Sequence, residues 1–450
     1  MSDKIKERIY IKGILNLQTP CMIGSGENNN TDSDVLVDSE NKPFIPGTSL
    51  AGVFRSYLAK HVDFDEEEKE LKYLFGSPFS IKNKNETTIS NIYISDANCC
   101  DKRKVEILVR DGVELNEYKA AKDKSKYDYE VIKPNTKFEF HIEVILREKF
   151  NYYKNGKVFT KSIDYNKIKN YIANLLIALE EEKISIGSKT SRGFGVIKVV
   201  DVKVELIDDK DYQHYINFDF EKINNNVNYR DWIIEKISDN YYEIEVELEL
   251  VSSLIIRDYI DVLDVIDAPD QIMLNVGDIP VIPGTSWAGC FRHHTRKLLE
   301  ELDINIGLID LIYGYVDKND DKKSTYSKFS FIESEFENKV YRVVRRNKID
   351  RFSGGAVDKA LFNEQYLESG NTRLKIRVEK GFEDYIGILF IIIDEINNGL
   401  LALGGETSVG RGLFKVNDIK LNNEKLTTDL KDRYLSNFIQ KVKKEGYYGN

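Results

Sequence analysis

The chain has 450 residues, of which 31% are charged, and its formal net charge is −10. This length favours two domains, since single hydrophobic cores stop growing near about 250–300 residues. The acidic balance excludes a coat protein that binds nucleic acid through a broadly basic surface, but it leaves room for a local basic groove. No apolar run reaches the ~18 residues of a membrane span, and the N-terminus lacks a signal-peptide core. We therefore expect a cytoplasmic protein with no membrane partner.

The first half of the chain begins with a predicted strand, "RIYIKGILNLQTP" at residues 8–20, in which apolar and polar residues alternate. An acidic loop follows, and then "IPGTSLAGVFRSYL" at residues 45–58, where Pro-Gly ends a strand and Thr48 or Ser49 can cap a helix. The later predicted elements are middle strands with a hairpin at 105–129, an apolar helix at 171–186, a glycine loop "GSKTSRGFG" at 187–195 and an alternating strand after it.

The second half repeats these elements in the same order. "IPGTSWAGCFR" at residues 282–292 matches residues 45–55 at all but two positions, and "GGETSVGRG" at 404–412 matches the first glycine loop in its Thr-Ser pair and three glycines. A strand precedes this second set, an apolar helix lies before its glycine loop, and a strand follows. Two copies of one structural unit are the simplest explanation.

The order strand, helix, middle strands and hairpin, helix, strand predicts an α+β fold with two tandem ferredoxin-like (RRM-like) modules. We place the first module at residues 1–208, a polar, Asn-rich linker at 209–238, and the second module at 239–424. Residues 425–450 form a C-terminal helical tail, with Asp429 near its start and lysines in its last turn.

The repeated motifs offer groups that bind phosphate. A helix N-terminus after Pro-Gly presents backbone N–H groups to an anion, and Arg55 and Arg292 recur on these helices. An ordinary capped helix with a solvent-facing arginine is the alternative interpretation. The glycine loops add hydroxyls and charge. The candidate contacts are Thr48, Ser49, Arg55, Lys189, Thr190, Ser191 and Arg192 in the first copy, and Thr285, Ser286, Arg292, Thr407, Ser408 and Arg411 in the second.

An acidic stretch also recurs ahead of each Pro-Gly motif. Asp32 lies in "NTDSDVLVD" and Asp267 in "VIDAPDQIML". A loop carboxylate beside a ribose could hold a divalent ion or position the 2′-hydroxyl for attack on the neighbouring phosphate. Simple solvated loop aspartates are the alternative. No histidine recurs between the copies, and no C-x-x-C pair exists, so neither a shared histidine acid/base pair nor a zinc motif is supported.

Together, "IPGTSLAG" with its arginine, the downstream "GSKTSRGFG" and above all "IDRFSGGAVDKALF" at residues 349–362 resemble the RAMP superfamily of CRISPR-associated proteins. The resemblance is strongest to the backbone subunits of type III effector complexes, and the doubled unit looks like their tandem form. It implies that each module grips guide RNA (crRNA) and that an inserted thumb hairpin kinks the guide–target duplex. Arg351, Phe352 and the Gly354-Gly355 turn match the thumb of the second module, whereas the first module has lost the Gly-Gly turn.

The resemblance also implies that a loop aspartate cuts target RNA with a divalent metal, Mg²⁺ or Mn²⁺, and leaves a 2′,3′-cyclic phosphate. Asp32 and Asp267 match that position, with Asp34 as a rival in the first module and Asp264 and Asp270 as rivals in the second. Both modules carry alanine, Ala51 and Ala288, where the family often has a lysine that contacts RNA.

Three functions remain open from the sequence. The first is a crRNA-guided, metal-dependent endoribonuclease subunit that works with target RNA and other effector subunits. The second is a non-catalytic crRNA-binding scaffold of the same complex. The third, a stand-alone processing ribonuclease, usually needs a histidine in the early loop, and neither module has one there.

Overall fold

The computed structural model describes residues 4–26, 30–60, 69–76, 86–100, 105–116, 121–154, 157–208, 211–217, 225–258, 269–317 and 323–444. The chain divides into two compact units. Unit one comprises residues 1–108, 130–188 and 195–239, and unit two comprises residues 109–129, 189–194 and 240–450. The division after Asp239 lies next to the predicted start of the second module, but the outer part of the first hairpin and a short piece of the first glycine loop belong to unit two.

Unit one is built on an antiparallel sheet in which β1 lies between β12 and β8. The full order is β11-β12-β1-β8-β5-β2, with β4 also paired to β8. The elements of this half of the chain are β1 (Ile5–Leu17), β2 (Phe44–Ile45), α1 (Gly47–Ala59), α2 (Lys69–Phe75), β3 (Glu86–Thr87), β4 (Ile92–Ile94), β5 (Ala97–Cys99), β6 (Ile107–Leu115), β7 (Ala121–Ile132), β8 (Lys137–Arg147), β9 (Phe150–Lys154), β10 (Lys157–Lys161), α3 (Tyr165–Glu180), β11 (Ile184–Ser185), β12 (Val196–Ile207) and α4 (Tyr212–Ile216).

The core of unit one explains why these segments form these elements. Alternate residues of β1, among them Ile9 and Ile11, are buried, as expected for a strand with one covered face. The helices α1 and α3 supply the covering layer: α1 buries Leu50, Phe54 and Leu58, which recur at helical spacing. The order of the main strands, β12-β1-β8-β4, is that of a ferredoxin-like module, which confirms the predicted fold of the first half.

Unit two repeats this architecture, with β13 between β19 and β18. The order is β14-β15-β17-β18-β13-β19-β20, and β16 also pairs with β18. Its elements are β13 (Tyr241–Leu250), β14 (Asn275–Val276), β15 (Ile279–Ile282), α5 (Gly284–Glu301), α6 (Gly307–Tyr313), β16 (Phe329–Phe331), β17 (Ser334–Ile349), β18 (Ala356–Glu379), α7 (Ile386–Asn397), β19 (Phe414–Leu421), β20 (Glu424–Lys425) and α8 (Thr428–Lys444). The predicted second ferredoxin-like module is thereby confirmed.

The described part of the predicted linker packs on unit one. Asn170 and Asn174, buried on α3, bind the backbone of residues 234–237 through their side chains. Asn170 Oδ1 accepts from Ile234 N at 2.9 Å, and Asn174 Oδ1 accepts from Ile237 N at 2.8 Å. The polar composition predicts a linker here and does not reveal these amide partners. The final helix, α8, has Asp429 in its first turn and three lysines in its last, as predicted, and it buries Phe438 and Val442. None of the helices in the described ranges could span a membrane.

Candidate nucleic-acid interface

The two aspartates of the acidic loop of unit one, Asp32 and Asp34, differ in exposure. Asp34 is 7% exposed, and its carboxylate accepts hydrogen bonds from Thr31 N at 2.8 Å, Thr31 Oγ1 at 2.9 Å and Asn30 N at 3.1 Å. It therefore shapes the loop from within. Asp32, two residues earlier, is exposed on the same loop. Of the two, Asp32 is the carboxylate that a bound strand could reach.

This loop is fixed to two other features of the repeated unit, the base of the first hairpin and the glycine loop. Glu130 on β7 donates its backbone N–H to Ser33 O at 3.0 Å and accepts from Val35 N at 2.9 Å through its side chain. On the other side, Met22 O accepts from Ser188 N at 2.8 Å. A Cβ on Gly187 would lie 2.4 Å from Met22 O, so only glycine fits at this close approach.

The backbone of unit two reproduces this arrangement. Three backbone hydrogen bonds around Asp32 each have a counterpart in unit two. The bond from Glu130 N to Ser33 O corresponds to the bond from Gln365 N to Gln271 O, so Gln271 takes the place of Ser33. Likewise, Leu36 N to Ile23 O corresponds to Leu274 N to Ile256 O, and Ser25 N to Asp34 O corresponds to Asp258 N to Ile272 O. The residue that occupies the position of Asp32 is therefore Asp270.

Asp270 was only a rival candidate from the sequence. The resemblance to the family's motif favoured Asp267, but Asp267 and Asp264 lie outside the described residues. One of the three matched bonds, Gln365 N to Gln271 O, joins segments far apart in the chain. Spacing to the Pro-Gly motif also favours Asp270, which precedes Pro283 by 13 residues, whereas Asp267 precedes it by 16 and Asp32 precedes Pro46 by 14. Asp270 is exposed, and its Oδ2 accepts from Asn363 N at 2.7 Å.

The two glycine loops share one backbone conformation. Lys189 and Glu406 adopt left-handed conformations with φ of 57° and 56°, a short 3-10 turn follows each, and Gly193 and Gly410 again have positive φ. This confirms that the repeated glycines serve a turn that other residues would strain. The charges of the two loops do not coincide, because Arg411 aligns with Phe194 and Lys189 aligns with Glu406.

The first glycine loop carries a cationic cluster that lies in unit two. Lys189 Nζ lies 3.0 Å from the centre of the Tyr129 ring, and burial, together with the nearby Arg192 and Arg110, lowers its pKa to about 8. Arg110 is itself buried and forms an ion pair with Glu333 at 2.5 Å. Arg192 is exposed. The loop thus presents one open cation beside a partly buried one, as an anion-binding surface requires.

The second glycine loop differs in charge. Arg411, 3% exposed, pairs with Glu364 at 3.1 Å and with Glu406 at 3.2 Å, and it lies over the Tyr366 ring. Burial and a hydrogen bond with Glu406 raise the pKa of Glu364. Arg411 is therefore part of an internal network and is not open to a phosphate, contrary to the prediction. On this loop Thr407 is half-buried and Ser408 is exposed. On the first loop Thr190 and Ser191 are both half-buried.

The IPGTS helices differ from the expected open anion sites. Neither helix has a side-chain cap from its own threonine or serine, since Pro46 and Pro283 occupy the N-cap positions. In unit one, the carboxylate of Asp96 accepts from Gly47 N at 2.7 Å. In unit two, a Cβ on Gly284 would lie 2.1 Å from Arg192 O. A carboxylate or a carbonyl thus already faces each helix start. Thr48 is exposed, and Ser49, Thr285 and Ser286 are half-buried.

The two helix arginines are also unequal. Arg292 donates to Gly314 O at 2.9 Å and to Asp310 at 3.2 Å, which ties α5 to α6. Burial lowers the pKa of both Arg292 and Arg55, although Asp310 opposes this effect at Arg292. Arg55 is half-buried on α1. The environment of Arg292 gives it a structural role.

The second hairpin ends in an exposed turn. Phe352 is 101% exposed, and Arg351 beside it is exposed. The Asp350 carboxylate accepts from the backbone N–H groups of Phe352 and Ser353, both at 2.8 Å, and these bonds lower its pKa. Gly354 has a φ of 67° and completes the turn. The predicted hairpin is confirmed, and β6 and β7 form its counterpart in the first half.

No resident metal centre is formed by the described side chains. Among them, no three His, Cys, Asp or Glu groups converge as metal ligands would. Asp32 and Asp270 each offer carboxylate oxygens, the ligand type that Mg²⁺ and Mn²⁺ prefer, but neither belongs to such a group of described residues. A divalent ion here would need most of its ligands from RNA phosphates and water.

Comparison with known proteins matches both halves of the chain. The family model described as RAMPs, the RAMP superfamily, matches residues 14–198 and 247–415. The chain is also similar to a protein named CRISPR system Cms endoribonuclease Csm3, from Methanocaldococcus jannaschii. The two are 27% identical over 216 residues, which are 44% of this chain and 82% of that protein. The aligned part is thus less than half of this chain, as a tandem architecture predicts.

Proposed function

This chain belongs to the RAMP superfamily, and we propose that it is a tandem backbone subunit of a type III CRISPR complex that binds crRNA and cuts complementary target RNA. The observation that carries this proposal is the repeated aspartate. Asp32 and Asp270 occupy one backbone position in two modules, each on a loop hydrogen-bonded to a hairpin base and next to a glycine loop. The endoribonuclease named among its relatives supports the same reaction class.

The proposed chemistry uses the carboxylate next to a target ribose. The aspartate orients the 2′-hydroxyl and favours its deprotonation as the 2′-oxygen attacks the adjacent phosphorus. The bond to the 5′-oxygen of the next nucleotide breaks, and that oxygen takes up a proton. The products are a 2′,3′-cyclic phosphate and a 5′-hydroxyl. A divalent ion, when bound, would stabilise charge on the phosphate.

Guide binding is assigned to exposed groups on the repeated motifs of each half of the chain. Arg192 and Thr48 are the strongest candidates in the first module, because both are exposed and lie on the repeated motifs, and half-buried Ser191 lies next to Arg192. Arg351 and Phe352 lie on the second hairpin, where the exposed ring could wedge between bases. Arg411 and Arg292 are left out of this set, since both have internal partners.

A non-catalytic scaffold is the second candidate for the second module. Asn363 N donates a hydrogen bond to the Asp270 carboxylate, which gives this carboxylate a structural role in the loop without RNA. In that case the second module would hold the guide while the first module cuts.

The function is tested with the complex purified from cells that express this chain with its neighbouring effector subunits and a crRNA. We expect cutting of a complementary RNA in Mg²⁺ or Mn²⁺, fragments that end in a 2′,3′-cyclic phosphate, and no cutting of a non-complementary RNA. Fragments ending in 3′-hydroxyl groups would contradict the mechanism. Co-purification without any crRNA would contradict the function.

A further inference from the structure

The strand pair β9 and β10 forms a surface that the proposed function does not use. We name it the lysine–aromatic strand pair. Between Glu148 and Asp164 the sequence has no acidic residue, although the whole chain carries a net charge of −10. The same stretch contains four lysines and four aromatic residues: Lys149, Lys154, Lys157, Lys161, Phe150, Tyr152, Tyr153 and Phe159.

The strand pairing arranges these residues on two faces. Phe159 lies opposite Tyr152, and the rings stack with centroids 5.5 Å apart. Lys161 Nζ lies 4.9 Å from the Tyr152 ring. On the other face, Val158 lies opposite Tyr153, which is 50% exposed. Phe150 is buried against Tyr73 and anchors the pair to the core of unit one.

We propose that the lysine–aromatic strand pair is a sequence-independent binding site for single-stranded RNA. Exposed rings interleaved with lysines are the combination that such sites use, since any base can stack and any phosphate can pair. Phe159, 42% exposed, provides a stacking ring on the face that also carries Lys157 and Lys161, and Tyr153 provides a second ring on the opposite face. Lys157 and Lys161, both exposed, provide the phosphate contacts. The inference depends on the proposed function only in taking RNA as the ligand.

Protection of a sheet edge and attraction of an acidic protein each account for only part of this surface. β10 ends its three-stranded sheet in the described structure, and lysines on an edge strand prevent pairing with other chains. Edge protection accounts for the lysines but leaves the exposed rings without a reason, because exposed aromatics favour aggregation. An acidic protein partner would match the charge. Base stacking accounts for the rings and the lysines together.

The test measures binding of a short fluorescent oligouridine to the full chain. We expect Tyr153→Ala with Phe159→Ala to weaken binding about tenfold, as loss of stacked bases does. Lys157→Gln with Lys161→Gln should reduce the slope of log affinity against log salt by about 1.4, which corresponds to two phosphate contacts on a single strand. Tyr326→Ala and Lys443→Gln with Lys444→Gln are matched controls, since these side chains are exposed elsewhere.

The outcomes separate this inference from the proposed function. Oligouridine affinity within twofold of wild type in both double variants, with melting temperatures unchanged, would overturn the inference. Loss of assembly with other subunits at unchanged oligouridine affinity would also overturn it and would identify a protein interface. Guided target cutting by the assembled complex is recorded in parallel. If that cutting is absent from wild type while the strand-pair variants still lose oligouridine binding, the proposed function fails and the inference stands.

Discussion

Asp32 and Asp34 lie two positions apart in one loop, yet their surroundings predict opposite effects of substitution. We expect Asp34→Ala to lower the free energy of unfolding by about 1–3 kcal/mol, because it leaves the two buried donors of Thr31, its N–H and its hydroxyl, without their acceptor. Asp32→Ala, at an exposed position, should change it by less than about 0.5 kcal/mol. Urea denaturation of both variants tests this, and equal losses of stability would contradict the assignment.

Lys189 predicts a specific pH dependence of stability. Its pKa is lowered to about 8 by burial, from an ordinary value of 10.5. Between these two values the unfolded chain keeps a proton that the folded chain has released, so the free energy of unfolding attributable to Lys189 rises with pH. Below about pH 8 the folded state bears the full cost of the buried charge.

The comparison with Lys189→Met isolates this effect, because all other titrating groups cancel. We expect wild type to gain stability relative to the variant between about pH 7 and about pH 9.5 in chemical denaturation. A constant difference between the two proteins across this range would show that Lys189 has an ordinary pKa.

Among the elements, the hairpin of β17 and β18 exposes the Phe352 ring to solvent, away from the core. We expect Phe352→Ala to leave the melting temperature unchanged, since the side chain is 101% exposed, and to weaken binding of a guide–target duplex by about fivefold or more. Phe352→Tyr is the control that keeps the ring. Equal affinity of the Ala and Tyr variants would remove the hairpin tip from the proposed interface.

The helix α3 holds the segment at 234–237 through two buried amides. We expect Asn174→Ala to lower the free energy of unfolding by about 1–3 kcal/mol, because Ile237 N–H loses its acceptor and Glu235 C=O loses its donor. Hydrogen exchange at residues 234–237 should also become faster. Asn166→Ala, on the exposed part of the same helix, serves as the control. Unchanged exchange in Asn174→Ala would mean that other contacts fix this segment.

On the scale of the whole molecule, the repeated fold was predictable because its signals are local. The alternation in β1 and β13, the helical spacing of Leu50, Phe54 and Leu58, and the glycines of the two loops each lie within about a dozen residues of one another. The site was less predictable because its geometry comes from distant pairings. The equivalence of Asp32 with Asp270 is established by the backbone partners of Ser33 and Gln271, and the burial of Arg411 depends on Glu364.

The two modules therefore share a backbone but differ in charge. The first glycine loop begins with Lys189 and the second with Glu406, at the same left-handed position. Internal pairing of Arg411 further reduces the open positive charge of the second loop. If the chain binds a guide as proposed, we expect the first module to contribute more to guide affinity than the second.

The most direct test of the proposed cutting mechanism is target cleavage by the assembled complex, mapped on an end-labelled RNA. Wild type is compared with Asp32→Asn, Asp270→Asn, Asp267→Asn and the Asp32/Asp270 double variant. We expect that Asp32→Asn and Asp270→Asn each remove one distinct cut, that the double variant removes both with target binding retained, and that Asp267→Asn cuts normally. A double variant that cuts like wild type would contradict the assignment of both aspartates.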